Sequence, residues 1–142
     1  MTVHWALRDT KAEILQEGEQ TIIVPALTSV WLDKVEFPEA DIYNEYISYD
    51  LIKDGENISG GTVNFSYPKY FRYEDPHLIC TVKGDEITVT ADAYAKSVEI
   101  LNENEDLILS DNYFDMNAGT KTVKVLNGDP AKLRVRSVYD IR

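Results

Sequence analysis

Three kinds of side chain in this 142-residue sequence have types and spacing suited to chemistry: a lone thiol, runs of carboxylates and a crowd of aromatic rings. Cys80 is the only cysteine, so it forms no intrachain disulfide, and a nucleophilic role would need a base beside it. The two histidines, His4 and His77, fall in strand-like or linker contexts, while Cys80 lies inside the apolar run Leu78-Ile79-Cys80-Thr81-Val82. A cysteine in such a run acts as a small buried hydrophobe. Asn102, Glu103, Asn104, Glu105 and Asp106 gather oxygen atoms of the kind a hard cation takes, but without the glycine arrangement of an EF-hand loop. The run reads as a solvated acidic hairpin tip. Neither a metal nor any other cofactor is expected.

The aromatic rings are better suited to binding. Sugar recognition stacks exposed rings against pyranose faces and sets polar side chains alongside. Tyr67, Tyr70, Phe71 and Tyr73 crowd one short stretch, and Trp31 stands in a segment, Thr28 to Val35, that reads as an edge strand. These five are the candidate contact residues, for carbohydrate or for a neighbouring domain. Tyr43, Tyr46 and Tyr49 recur every third residue. In a strand that spacing puts Tyr43 and Tyr49 on one face and Tyr46 on the other, so the three make no single platform. The crowded stretch is read chiefly as a wedge between two domains, and Trp5 and Trp31 as core or interface residues.

The elements that must position these groups repeat with period two. Val3, Trp5 and Leu7 alternate with His4, Ala6 and Arg8; Ile47, Tyr49 and Leu51 alternate with Ser48 and Asp50. Val63, Phe65 and Tyr67, Ile87, Val89 and Ala91, Val123 and Val125, and Leu133 and Val135 continue the pattern. Each run offers one face to a core and one to water, as antiparallel sheets require. Gly18-Glu19, Asp54-Gly55, Lys83-Gly84-Asp85, Asn102 to Asp106 and Asn127-Gly128-Asp129 carry turn chemistry. Thr10 to Gly18 reads as a strand ending in a turn rather than a helix. The fold class is all-β, antiparallel and immunoglobulin-like.

Prolines 68 and 76 mark a seam rich in aromatics. Residues 1–67 read as a partial β-sandwich with five or six strands, residues 68–76 as a linker, and residues 77–142 as a six-stranded immunoglobulin-like sandwich. The abrupt start on a strand at Thr2 suggests that early strands of the first sandwich are missing. In the second half, Tyr94 to Gly119 gives strand, turn, strand and an aromatic corner in which Tyr113 and Phe114 should anchor a loop between sheets. Fourteen basic against 25 acidic residues leave a formal charge of −11. Such a surface excludes nucleic acid and anionic lipid as expected partners, and no apolar run is long enough to span a bilayer.

Several segments resemble the C-terminal domains of family 2 glycoside hydrolases, the β-mannosidases above all. Trp5-Ala6-Leu7-Arg8-Asp9, Val24-Pro25-Ala26-Leu27-Thr28-Ser29, Ser48-Tyr49-Asp50-Leu51 and Gly61-Thr62-Val63-Asn64-Phe65 are similar to the penultimate sandwich of that family, and Pro68 to Pro76 to its exit linker. Asp85 to Thr90, Ala93 to Val98, Ser110 to Met116 and Leu133 to Asp140 are similar to its final domain. The resemblance implies a non-catalytic accessory region that braces a catalytic (β/α)8 barrel and shapes its active site. The partner would be the rest of the parent glycosidase, with carbohydrate a further ligand, in a bacterial cytoplasm. The alternative is a stand-alone immunoglobulin-like module that binds carbohydrate or protein.

Family chemistry uses two glutamates about 5 Å apart in the barrel. Asn44-Glu45 and Asn102-Glu103 echo the Asn-Glu pair of such enzymes, but one stands at the start of a strand and the other in a hairpin turn. No residue here is expected to be catalytic. The parent's sugar, its oligomeric state and the number of missing strands are not written in the sequence.

Overall fold

Alternating side chains become strands along most of the chain, and a computed structural model describes residues 1–141. The architecture is all-β and antiparallel, as the period-two pattern requires. It divides into two units: Met1–Asp9 with Glu13–Phe71, and Thr10–Ala12 with the chain from Arg72 on.

The first unit holds β1 (Thr2–Asp9), β2 (Ile14–Thr21), β3 (Glu45–Lys53) and β4 (Glu56–Asn64) in one sheet of order β2-β1-β3-β4. Strands β2 and β4 are its two edges. Val3, Trp5 and Leu7 stand opposite Leu51, Tyr49 and Ile47, which puts the apolar side chains of both central strands on one face. The other face holds the buried Ala6, Tyr46 and Ser48 alongside charged side chains. There Arg8 Nε donates to Ser48 Oγ at 2.8 Å, and His4 Nε2 lies 3.0 Å from Glu17 Oε2.

Across the apolar face runs a four-strand row of Gly18, Trp5, Tyr49 and Gly61. A β-carbon at Gly18 would meet Trp5 Cε2 at 2.8 Å, and one at Gly61 would meet Tyr49 Oη at 2.8 Å. Each ring therefore lies flat over a glycine of the neighbouring strand. This corrects the reading of Gly18-Glu19 as a turn: Gly18 sits inside β2 because only a missing side chain leaves room for the indole. The β3–β4 hairpin turns where expected. Asp54 (φ 52) and Gly55 (φ 82) are both left-handed, as a two-residue type I′ turn demands.

Residues 22–44 hold no strand, against the expectation of an edge strand from Thr28 to Val35. Gln20 explains part of this. Its side chain accepts from the Asp33 backbone N–H at 3.1 Å and donates to the Asp33 carbonyl at 3.1 Å, engaging the groups a ladder would use. The unit thus has four strands rather than five or six.

The second unit is a sandwich. Strands β5 (Ile79–Lys83), β6 (Glu86–Ala91), β10 (Gly119–Asn127) and β8 (Ile108–Leu109) form one sheet; β11 (Arg134–Arg136), β7 (Ala95–Leu101) and β9 (Phe114–Met116) form the other. Ile87, Val89 and Ala91 of β6, Ala95, Val98 and Ile100 of β7, Phe114 and Met116 of β9, and Val123 of β10 make a buried core. Strand β7 keeps its apolar side inward despite a register shift between Ala95 and Val98. Ser97 takes a positive φ of 52 there, and its N–H donates to Asp115 Oδ1 at 2.8 Å while Lys96 Nζ holds Oδ2 at 3.0 Å. Asp115 thereby pins a bulge. The chain closes with a four-residue helix, α1 (Val138–Ile141), which the sequence reading did not contain. Asp140 Oδ2 accepts from the Ser137 N–H at 2.7 Å, bracing its start.

Candidate functional site

In the first unit, Tyr43, Asn64, Phe65, Ser66, Tyr67, Pro68 and Tyr70 line an open surface cleft of about 590 Å³. Local sequence builds each wall. Asp41 organises the turn below Tyr43: its carboxylate accepts from the Tyr43 N–H at 3.1 Å and from Asn44 Nδ2 at 2.6 Å. Phe65, just past the end of β4, packs edge-on against Phe37, with centroids 6.1 Å apart, and Phe37 packs in the same manner against Trp5 at 5.2 Å. Pro68–Tyr70 then form one 3-10 turn, closed by the Tyr70 N–H donating to the Tyr67 carbonyl at 2.9 Å.

That turn decides which aromatics face out. Three residues complete a 3-10 turn, so Tyr67 and Tyr70 project on the same side. They are 75% and 54% exposed, 6.5 Å apart between centroids and tilted by 59°. Lys69 Nζ sits 4.8 Å from the Tyr70 centroid and covers part of that ring. The lining residues themselves carry no charge.

Of the five candidate contact residues, only Tyr67 and Tyr70 line this cleft. Phe71 is buried in the first unit edge-on to Tyr46, with centroids 6.3 Å apart. Tyr73 is buried in the second unit beside Tyr94 at 5.9 Å. Trp31 is 95% exposed within residues 22–44. Tyr43, Phe65, Asn64 and Ser66 were not among the candidates. The one signal for them was the Asp-x-Tyr-Asn pattern at residues 41–44, an Asx-type turn that presents the tyrosine.

The other chemical candidates are used structurally. Glu45 Oε2 accepts from the Asp41 N–H at 3.1 Å. Asn102, which is 1% exposed, donates from Nδ2 to Asp106 Oδ1 at 2.6 Å and to the Asp129 carbonyl at 3.1 Å, so it organises two loops. Glu103 pairs with Lys132 at 2.7 Å. No group of three or more His, Cys, Asp or Glu residues able to hold a metal occurs among the described residues. Cys80 is half-buried against the second unit's core, and burial pushes its thiol pKa up, away from a reactive thiolate.

A cluster of charged and hydrogen-bonded side chains lies on the second unit's β7–β11 ladder. Glu99 accepts from Arg136 Nε and, at 2.7 Å, from the Tyr113 hydroxyl. Those two bonds, Arg136 first, hold the Glu99 carboxyl below its usual range, and the bond to Glu99 pushes the Tyr113 phenol up. This corrects the expectation that Tyr113 anchors the corner between sheets. Its φ of 57 turns the ring outward to 63% exposure, while Phe114 alone enters the core.

Residues 1–70 match a family model described as a Mannosidase Ig/CBM-like domain, and residues 73–141 match one for a mannosidase Ig-fold domain. Among solved structures, a β-D-mannosidase from Dictyoglomus thermophilum aligns with 96% of this chain at a TM-score of 0.73 and 13% sequence identity. At that identity the likeness concerns the fold. This chain spans 18% of the length of that one. No curated protein matches it in sequence.

Proposed function

Because the chain belongs, half by half, to two immunoglobulin-like domain families of mannosidases, we propose that it is a non-catalytic accessory region of a β-mannosidase-like glycosidase. The parent would hydrolyse β-mannosidic or related β-glycosidic bonds, and this region would pack against its catalytic barrel and support the active-site architecture. One observation carries the reading: the two matched domains account for residues 1–70 and 73–141, and those residues form antiparallel strands with a single four-residue α-helix. A (β/α)8 barrel needs eight alternating strands and helices. The acids singled out by sequence, Glu45 and Glu103, serve a turn and an ion pair.

The purified chain should release no nitrophenol from aryl β-mannosides, β-glucosides or β-galactosides above the buffer rate. Turnover that survives repurification and elutes with the protein would sink the accessory reading.

A further inference from the structure

We propose that β4 is a dimer interface: the β4 edges of two copies of this chain pair antiparallel about a two-fold axis at Gly61, joining two four-stranded sheets into one of eight strands. The inference goes beyond the accessory-region reading and does not depend on it.

A strand at the edge of a sheet offers one side of its backbone for pairing, and proteins guard such edges with charge, short length or irregularity. Among the described residues the edges are β2 and β4 in the first unit and β5, β8, β9 and β11 in the second. All but β4 are guarded. Strand β2 carries Glu17 and Glu19, and β5 has five residues and ends in Lys83. Strands β8 and β9 have two and three residues, and β11, also of three, carries Arg134 and Arg136. By contrast, β4 has nine residues, and its one charge, Glu56, stands at its start. A bulge at Ile58, where the register against β3 shifts, lies close to that start and leaves residues 59–64 regular.

Self-pairing suits this segment. Directly opposed residues put their side chains on the same face. A symmetric pair must therefore set odd positions opposite odd ones, or one copy's apolar face would meet the other's opposite face. Gly61 opposite its own copy satisfies this, and it sets Ser59 opposite Val63 and Gly60 opposite Thr62. Each larger side chain then meets a smaller one. Glu56 falls opposite Ser66, beyond the end of the strand, so no like charges oppose each other.

The arrangement is also closed. Pairing uses the one unguarded edge of each copy, and the outer edges of the eight-stranded sheet are then both β2. Glu17 and Glu19 stand at each of those edges, so a third copy is turned away. A contact of this isologous kind gives a dimer and not an open array.

Sedimentation equilibrium of the 142-residue chain, from micromolar to millimolar concentration, tests the proposal. A reversible monomer–dimer equilibrium should describe the data, with no larger species. Amides of β4 should exchange as an edge strand's do in the dilute monomer and slow in the concentrated dimer, while those of β2 should not slow. Ser59→Lys with Val63→Lys sets like charges opposite each other and should weaken dimerisation at least about tenfold. Ser59→Lys with Val63→Glu sets opposite charges at the same places and should restore it. Both positions are exposed, so circular dichroism should show each variant folded. A chain that stays monomeric at millimolar concentration overturns the proposal. So does a dimer indifferent to the first double variant, a dimer weakened equally by both, or growth of the native chain beyond two copies.

Discussion

A β-carbon at Gly18 has nowhere to go, because the Trp5 indole occupies its place. Gly18→Val should therefore displace the indole and destabilise the chain by about 1–3 kcal/mol, the range for overpacking. Urea unfolding reads the loss, and a red shift in emission reads the displaced ring once the exposed Trp31 is replaced by Phe. Phe114→Ala should cost about 3–5 kcal/mol, since the ring is 6% exposed and packed in the core. Its neighbour differs: Tyr113→Phe should leave the urea midpoint nearly unchanged, since that ring is exposed. Phe114 was legible as an anchor from its type and place, whereas the outward turn of Tyr113 depends on a positive φ that no side-chain pattern announces. Glu99 gives a pH signature. Its folded pKa is depressed, so its stabilising contribution is present above the unfolded carboxylate value of about 4.3 and disappears as pH falls through the folded value. The stability gap between the native chain and Glu99→Gln should be full at neutral pH and close progressively below that point. In the same variant the Tyr113 phenol, followed by ultraviolet titration, should ionise at lower pH than in the native chain.

Among the elements, hairpins were read correctly where glycine makes the turn. Gly55 has φ 82 and open space around it, so Gly55→Ala should cost only the backbone penalty of a left-handed alanine, about 1–2 kcal/mol. A larger loss by urea unfolding would show that the turn is packed rather than merely twisted. What the pattern missed shares one physical cause: backbone held by side chains instead of by a ladder. Gln20 clamps Asp33 where a strand was expected, and Asp115 pins the bulge at Ser97. Such bonds join residues that propensity treats as independent. For the same reason the cleft was only half legible: Tyr67 and Tyr70 were named from their crowding, but Tyr43 and Phe65 reach the site through turns at Asp41 and beyond β4.

At the scale of the whole molecule, the two units are unequally filled. The buried apolar cluster lies in the second, while the first exposes Ile23, Leu27, Val63 and Tyr67, among others, at half or more of their surface. Strands that bury more apolar contacts open less often. Amide hydrogen exchange should therefore be slowest in β6 and β7 and fastest in β2 and β4, with β1 and β3 between them. Uniform protection across both units would show that the first unit draws stability from something other than its own packing. The order of elements and the antiparallel class followed from alternation alone, but this imbalance did not, because period-two runs look the same whether or not a second layer covers them. Strand β2 carries a last consequence. An open strand edge is a template on which another copy of the same chain can polymerise, and this one bears Glu17 and Glu19 with no positive charge along its length. Two such edges approaching each other in antiparallel register repel, so like charge acts as a gatekeeper against fibril growth. Salt that shortens the reach of that repulsion removes the gatekeeper while leaving the fold itself in place.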